Sequence, residues 1–554
     1  MGRGTGRGSG AGAKRGEETK RGRGRGRGTT NSKNQVNNGG KKKKEFQNTV
    51  GWESVANFVN ENGQKLFVET TGPKREAKAL STPLELLLLL FTEEIIQEIV
   101  VQSNLYYSQS ETTKVRNWKD ITVSEIKAFL GIILAMGMVE LPDIYDYWCK
   151  TDPITCVPWF ANIMTRDRFL LIMRFLHLSD KTKEPPRDSP NYKLYKIGNL
   201  YSKTNENFLK FYKPDKNLSI DEQMIGTRCR VRFIQYMPKK PKKFGIKLWA
   251  LCEARTGYCC KFQVYTGKVG DGVQEKGLAY RVVFDLMDPF LDKNHNLYID
   301  NFYTGVKLLQ DLETRSTYTC GTIRRDRGVF PPEFQQKELQ RGEAVYLQSG
   351  NLVAVHWKDK RDVFCLSTIH GTADSLVQRK AGDPINKPEI VTEYNNYMNG
   401  VDRCDQYLSS YTFSRKTVKW WKKIFIRIFE LAVINAMILY HHKYPEEKKK
   451  RRAHKSFRSK LIHQLVQPLL DEKTNRDVYS SGRKQAAYND QRLQGKHFAE
   501  SKHPERKCCV LCGYKRKRNG KIAYTKTSNY CPKCDKFVCK DCFEDYHTQS
   551  NPRK

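Results

Sequence analysis

Four aspartates carry the side chains that could do chemistry. Leu297-Tyr298-Ile299-Asp300-Asn301-Phe302-Tyr303 is a short apolar run ending in one carboxylate. It reads as a buried strand with Asp300 at its open C-terminal end. Alone, such an aspartate is a turn residue. Two other stretches give it company. Asn217–Ile225 is an apolar strand with Asp221 in its middle, and Tyr394–Leu408 places Asp402 and Asp405 at i and i+3 on one helix face. Cys404, two residues after Asp402, turns away from that face. Three or four carboxylates on one site suit two Mg2+ ions, hard cations that take oxygen ligands. Two such ions can clamp the attacking and leaving oxygens of an in-line phosphoryl transfer.

The second constellation is made of cysteines. The pairs Cys509/Cys512, Cys531/Cys534 and Cys539/Cys542 each have x2 spacing and are followed by His547. Each pair can present two thiolates to one tetrahedral zinc. Interleaved pairing puts Cys509, Cys512, Cys539 and Cys542 on one zinc, and Cys531, Cys534 and His547 on a second. The second is one ligand short, with His497, His503 and Cys508 as candidates. A RING-type ubiquitin ligase is the alternative reading, although the Cys/His order suits it poorly.

The elements that must position the aspartates follow from periodicity. Leu218–Ile225, Phe244–Glu253 and Cys260–Tyr265 read as strands, Lys276–Met287 as a helix, His295–Asp300 as a strand, Thr304–Leu312 as a helix and Thr317–Ile323 as a strand. This βββαβαβ order is that of a ribonuclease-H-like core, in which the first and fourth strands are neighbours and would bring Asp221 beside Asp300. At fold level this is an analogy. Upstream, Thr82-Pro83-Leu84-Glu85 and Thr122-Val123-Ser124-Glu125 are helix starts with capping-box spacing. They open helices expected over Leu84–Val101 and Ile126–Met138, and a third pattern runs through Arg166–Leu178. The proline-containing stretch 181–216 reads as a connection. Short β-like runs, Ala344–Leu347 and Leu352–Trp357, mark 326–390 as an insertion. Helical signal resumes at Glu393, and an apolar helix follows to Tyr440.

Composition limits the partners. The chain has 554 residues, 98 Lys+Arg against 60 Asp+Glu, and a net charge of +38. Nucleic acid is the first expectation for a protein this basic and an anionic membrane surface the second. The longest apolar runs, Leu84–Phe91 and Phe129–Met138, fall short of the ~18–20 residues of a membrane span, so no membrane is expected. No apolar leader opens the chain, which argues against secretion. Seven of the 16 cysteines lie within Cys508–Cys542, which suits a reducing compartment with one metal module. Residues 1–44, with Arg-Gly repeats and Lys41–Lys44, lack the apolar residues for a core and read as a disordered basic arm for import or nonspecific nucleic-acid contact. Lys448–Arg452 reads as a nuclear import signal. Arg415, Lys416, Lys419, Lys422 and Lys423 interleave with Trp420 and Trp421, a pattern for phosphate contact or for an amphipathic helix with solvated lysines. Lys515, Arg516, Lys517 and Arg518 offer further phosphate contacts.

Several of these motifs resemble piggyBac-type transposases and their domesticated relatives. They are Ser219-Ile220-Asp221-Glu222-Gln223-Met224, Pro238 to Lys247, Tyr298-Ile299-Asp300-Asn301-Phe302-Tyr303, Trp357-Lys358-Asp359-Lys360-Arg361, Asn399-Gly400-Val401-Asp402, and Arg415-Lys416-Thr417 with Lys419-Trp420-Trp421. The resemblance spans roughly 80–547. It implies a DDD triad of Asp221, Asp300 and Asp402, with Asp405 assisting metal binding. It also implies a homodimer in the nucleus that nicks double-stranded DNA at element ends, forms hairpins and inserts at TTAA. The expected α/β organisation is a disordered basic region (1–79), a split all-α DNA-binding and dimerisation domain (80–216 and 411–475), and a catalytic core (217–325 and 391–410). A β-rich insertion (326–390), a linker (476–495) and a cross-brace zinc module (496–554) complete it. A domesticated DNA-binding protein without transposition, and an RNA-associated factor built on the Arg-Gly arm, are the alternatives.

Overall fold

The computed structural model describes residues 49–549 except 60–64, 111–114, 116–117, 239, 241, 268–276, 379–383, 486–492, 494, 502–503 and 513–524; for 475–485 it describes the helical backbone only. The Arg-Gly arm lies outside the described residues. Ten strands form one mixed sheet: β1 (Glu53–Val55), β2 (Asn217–Gly226), β3 (Ile234–Tyr236), β4 (Phe244–Glu253), β5 (Cys259–Val264), β6 (Asn296–Ile299), β7 (Tyr318–Thr322), β8 (Ala344–Ser349), β9 (Leu352–Lys358) and β10 (Asp362–Ser367). Their spatial order is β1-β8-β9-β10-β7-β6-β2-β4-β3, with β5 also paired to β4.

The centre matches the order expected from sequence. β2, β4 and β5 are antiparallel neighbours, and β6 lies parallel to both β2 and β7. Helices Gly277–Met287 and Val306–Thr314 make the two crossovers. β6 has a parallel neighbour on each side and all four of its residues are buried. That is why Leu297, Tyr298 and Ile299 follow one another as an unbroken apolar run instead of alternating with polar residues. This mixed sheet fits a nuclease-like core.

The insertion expected at 326–390 is β-rich, but its main strands build no separate sheet. β8, β9 and β10 continue the central one, because β10 pairs with β7 through Cys365–Thr322 to Ser367–Cys320. The expectation of disorder through residue 79 also needs correcting. β1 pairs with β8 at the sheet edge, Trp52 is buried, and its indole donates to the Val329 carbonyl at 2.7 Å. A three-residue strand whose partner lies almost 300 residues away carries no periodic signal of its own.

Helices cover the core. Thr82 and Thr122 close capping boxes with Glu85 and Glu125, as their spacing required. The single helix expected over Leu84–Val101 is two, Pro83–Leu90 and Glu93–Ser108. The chain breaks at Phe91, which is buried against Phe429, and Thr92 caps the second helix by accepting from the Ile95 amide. The 181–216 connection contains the helix Leu200–Phe211, whose Asn205 side chain pairs with both backbone groups of Phe262 on β5. Farther on, helix Val123–Met138 packs along Ala453–Gln485, and Pro83–Leu90 packs against Trp420–Lys443, so N- and C-terminal helices share one layer. Trp420–Lys443 is long and apolar enough by length and composition to cross a membrane, and 83% of its apolar window is buried inside the protein. Its Asn435 amide bridges the Cys259 N–H (2.9 Å) and C=O (2.8 Å), fixing the helix to β5.

Candidate active site and metal centres

The parallel register of β2 and β6 sets Ile220 opposite Ile299. Asp221 and Asp300, each one residue further on, therefore stand at the same level on adjacent strands. Asp300 turns the chain: its carboxylate accepts from the Phe302 amide at 2.9 Å and its carbonyl from Thr304 Oγ1 at 2.9 Å. Asp402 and Asp405 sit on the helix Gly400–Ser410, separate from Glu389–Tyr397, where sequence periodicity suggested one continuous helix. The break lets Gly400 meet β2. Ser219 shares the face of Asp221 by strand alternation. A Cβ at Gly400 would press on Ser219 Oγ and come within 3.0 Å of the Glu253 carbonyl. Close backbone approach thus brings the helical carboxylates to the sheet.

Cations complete the site. Lys240 Nζ lies 4.0 Å from the Asp221 carboxylate and donates to the Glu222 carbonyl, and Arg427 lies 3.6 Å from Asp405. Asp402, Asp405, Lys240, Lys242 and Arg427 line a cleft of about 390 Å³. Burial pushes the Asp221 carboxyl up to about 7 against the pull of Lys240, with Glu222 and Asp300 adding to the rise. Burial also raises Asp300 and Asp405. Two carboxylate pairs thus share one electrostatic neighbourhood, with Lys240 attracting members of both. The donor set is hard oxygen and its charge is only partly compensated, which fits divalent cations. Tyr303, unremarked by spacing, is buried beside Asp221, Asp300 and Glu222, with a hydroxyl that has no hydrogen-bond partner among the described residues. Lys240 and Arg427 were also missed, because nothing local links them to the aspartates.

The cysteine module is more tightly gathered. Among the described residues, two groups of metal-ligating side chains have all their ligand atoms within 4.8 Å of one another: Cys509, Cys512, Cys539 and Cys542, and His497, Cys531, Cys534 and His547. The four aspartates form no group of that kind. Cys512 Sγ lies 3.4 Å from Cys539 Sγ and 3.7 Å from Cys542 Sγ. Zinc–sulfur bonds of about 2.3 Å in a tetrahedron would set sulfurs about 3.8 Å apart. The second group gains His497, whose Nδ1 faces Cys531 and Cys534 at 3.5 and 3.3 Å. Cys508 is exposed on a short strand and His503 lies outside the described residues. His547 Nδ1 pairs with the Phe543 carbonyl at 2.8 Å, which leaves Nε2 as its ligand atom. Both groups could hold zinc.

The basic motif divides in the fold. Arg415 donates to the carbonyls of Leu141 and Pro142 and to the Tyr147 hydroxyl at 2.6–3.0 Å. Lys422 is buried and donates to the Met173 carbonyl, a packing role instead of the expected phosphate contact. Lys423 donates to the Arg415 carbonyl. Lys416 is exposed and Lys419 half-buried over the Tyr106 ring. Lys515, Arg516, Lys517 and Arg518 lie outside the described residues.

A family described as "Transposase IS4" matches residues 82–437. The solved structure of a piggyBac transposase synaptic complex with hairpin DNA superposes with a TM-score of 0.66 and 25% identity, covering 86% of this chain and 98% of that one. This chain belongs to the piggyBac transposase family. Human PiggyBac transposable element-derived protein 3 is 29% identical over 87% of this chain and 78% of its own length. Human PiggyBac transposable element-derived protein 2 is 26% identical over 65% and 61%. Membership implies a DNA-cleaving and DNA-transferring enzyme, and the nuclease-like sheet of this piggyBac-family chain accords with that.

Proposed function

We propose that the chain is a DDD-type DNA transposase that cuts and pastes double-stranded DNA through hairpin intermediates and inserts at TTAA. Asp221, Asp300 and Asp402 are its catalytic carboxylates. The register that sets Ile220 opposite Ile299 carries this reading, since it makes neighbours of two aspartates 79 positions apart in the sequence. Asp221, Asp300, Asp402 and Asp405 would hold two Mg2+ ions. When bound, such ions supply Lewis-acid stabilisation to the oxygens entering and leaving phosphorus. The chain's own residues do the rest. Lys240, Lys242 and Arg427 draw the phosphodiester into the cleft, and the Phe302 amide orients the Asp300 carboxylate. Burial raises the proton affinity of Asp221 in the metal-free chain, and a bound divalent cation would offset that rise. Cys509, Cys512, Cys539 and Cys542 would close one zinc site, and His497, Cys531, Cys534 and His547 another. Both are saturated and therefore structural. The module would read the element end, and the protein would act as a homodimer in the nucleus.

The second reading, a domesticated DNA-binding protein that no longer transposes, draws on the curated relatives, which are named as element-derived human proteins. Asp300→Asn tests the first. It keeps the side chain's shape and removes one anionic ligand. Mg2+-dependent nicking of a duplex end should fall by more than about 10²-fold, the upper cost of losing an outer-shell partner alone, while binding to that end persists. Normal nicking by this variant would sink the triad. No nicking by the unaltered chain, with end binding retained, would favour the second reading.

A further inference from the structure

A second basic surface lies away from the carboxylates. A cleft of about 290 Å³ is lined by Arg187, Lys193, Lys196, Arg230 and Arg232 and by one acid, Glu184. Glu184 already pairs with Lys196 at 3.4 Å. Among the described residues no acid pairs with Arg187, Lys193, Arg230 or Arg232. Arg228, Arg230 and Arg232 are exposed, and they alternate with Cys229 and Phe233, which are buried. The three arginines are thus exposed on the segment between β2 and β3. The segment is pinned, because Cys229 Sγ donates to the Thr417 carbonyl at 2.8 Å and Phe233 meets Trp420 edge-on at 5.2 Å. Trp420 and Tyr192 add aromatic surface to the lining.

The positive field extends beyond the cleft. Burial, then Arg174 and Lys196, hold the nearby Lys419 amine below its usual range. Like charges gathered without counter-charge cost folding free energy, and a polyanion recovers it. None of Asp221, Asp300, Asp402 and Asp405 lines this cleft, so its chemistry is binding alone.

We propose that this cleft is a second DNA site, which holds the phosphodiester backbone of duplex DNA away from the catalytic carboxylates on Arg187, Lys193, Arg230 and Arg232. The assignment rests on the transposase reading. The duplex could be the element end beyond the cut or the target, and the backbone chemistry is the same for both. Two double variants, R230A/R232A and R187A/K193A, made in the full zinc-loaded chain, test it. Binding is followed by anisotropy against salt with two probes, an element-end duplex and a TTAA-containing target duplex. K449A/K450A serves as the control, since both lysines are exposed and paired to Glu446 and Glu447.

Each double variant should lower the slope of log K against log salt by about 1.8, since each phosphate that is no longer neutralised accounts for about 0.9. Melting should stay unchanged, which separates lost phosphate contacts from lost folding. A slope change with the end duplex alone, or with the target alone, identifies the strand that lies there. Unchanged slopes with both probes would overturn the site, as would an equal change in the control. Absence of DNA binding by the unaltered chain would overturn the transposase reading and this site with it.

Discussion

The aspartate site and the cysteine module are opposite arrangements of groups that could hold metal. The module draws eight ligands from 497–547, a single local segment, into two groups with every ligand atom within 4.8 Å. The aspartate site takes its groups from β2, the end of β6 and the helix Gly400–Ser410, and inserts Lys240 and Arg427 among them. It leaves Asp221 with a carboxyl at about 7. A closed thiolate and imidazole set has no position for substrate, whereas carboxylates under electrostatic strain beside a cationic cleft do. The proposed function assigns chemistry to the incompletely satisfied carboxylates and a structural role to the closed cysteine and histidine groups.

The largest effect that would break this comparison comes from the module. Cys542→Ala should release one metal and keep the other, since the second group shares no ligand with the first. Structural zinc binding contributes about 10–16 kcal/mol in small modules, so residues 509–512 and 539–542 should lose amide protection from hydrogen exchange. Nicking of a pre-bound end should change little. Loss of both metals would show that the two groups are a single unit.

Gly400→Ala is next and sharpens the open side. The new methyl meets Ser219 and the Glu253 carbonyl, at a cost of about 1–3 kcal/mol from overpacking. It pushes Asp402 away from Asp221. Nicking should fall while zinc content and end binding stay normal; an unchanged rate would mean that the helix tolerates displacement.

Arg415→Lys should destabilise by about 1–2 kcal/mol, because the guanidinium reaches the Pro142 carbonyl with one nitrogen and the Leu141 carbonyl and Tyr147 hydroxyl with another, and a compact ammonium cannot span that fork. The salt slope of DNA binding should not move. A reduced slope would return Arg415 to the DNA surface.

The smallest effect is pH-dependent. Asp221 has a folded pKa above its unfolded one, so the folded state binds more protons between about pH 4 and 7, and stability falls as pH rises through that window. In metal-free buffer Asp221→Asn should flatten this decline and raise Tm at pH 8 by about 2 °C. Divalent cations should do the same for the unaltered chain. A steeper decline in the variant would contradict the assigned sign.

Legibility tracked distance along the chain. The capping boxes at Thr82 and Thr122 were readable because all their groups lie within four residues. The strands around Asp221 and Asp300 were readable because each carries a dense apolar set, Leu218, Ile220, Met224 and Ile225 in one and Leu297, Tyr298 and Ile299 in the other. β1 and the helix Leu200–Phe211 were not, since each is stabilised mainly by residues remote in sequence. Arg415 and Lys422 looked like phosphate contacts because a cation's sequence neighbours do not reveal which carbonyl it will meet.

By itself the sequence determined the period of each central element, the βββαβαβ order, the presence of the four aspartates and the pairing of cysteines by x2 spacing. Each is a local property of side-chain alternation or of ligand reach. Tertiary structure decided that His497 joins Cys531, Cys534 and His547, that β8, β9 and β10 join the central sheet, and which of the clustered cations, such as Lys422, are tied to carbonyls. Those outcomes depend on which distant groups are desolvated together, and burial is a property of the packed chain rather than of any segment within it.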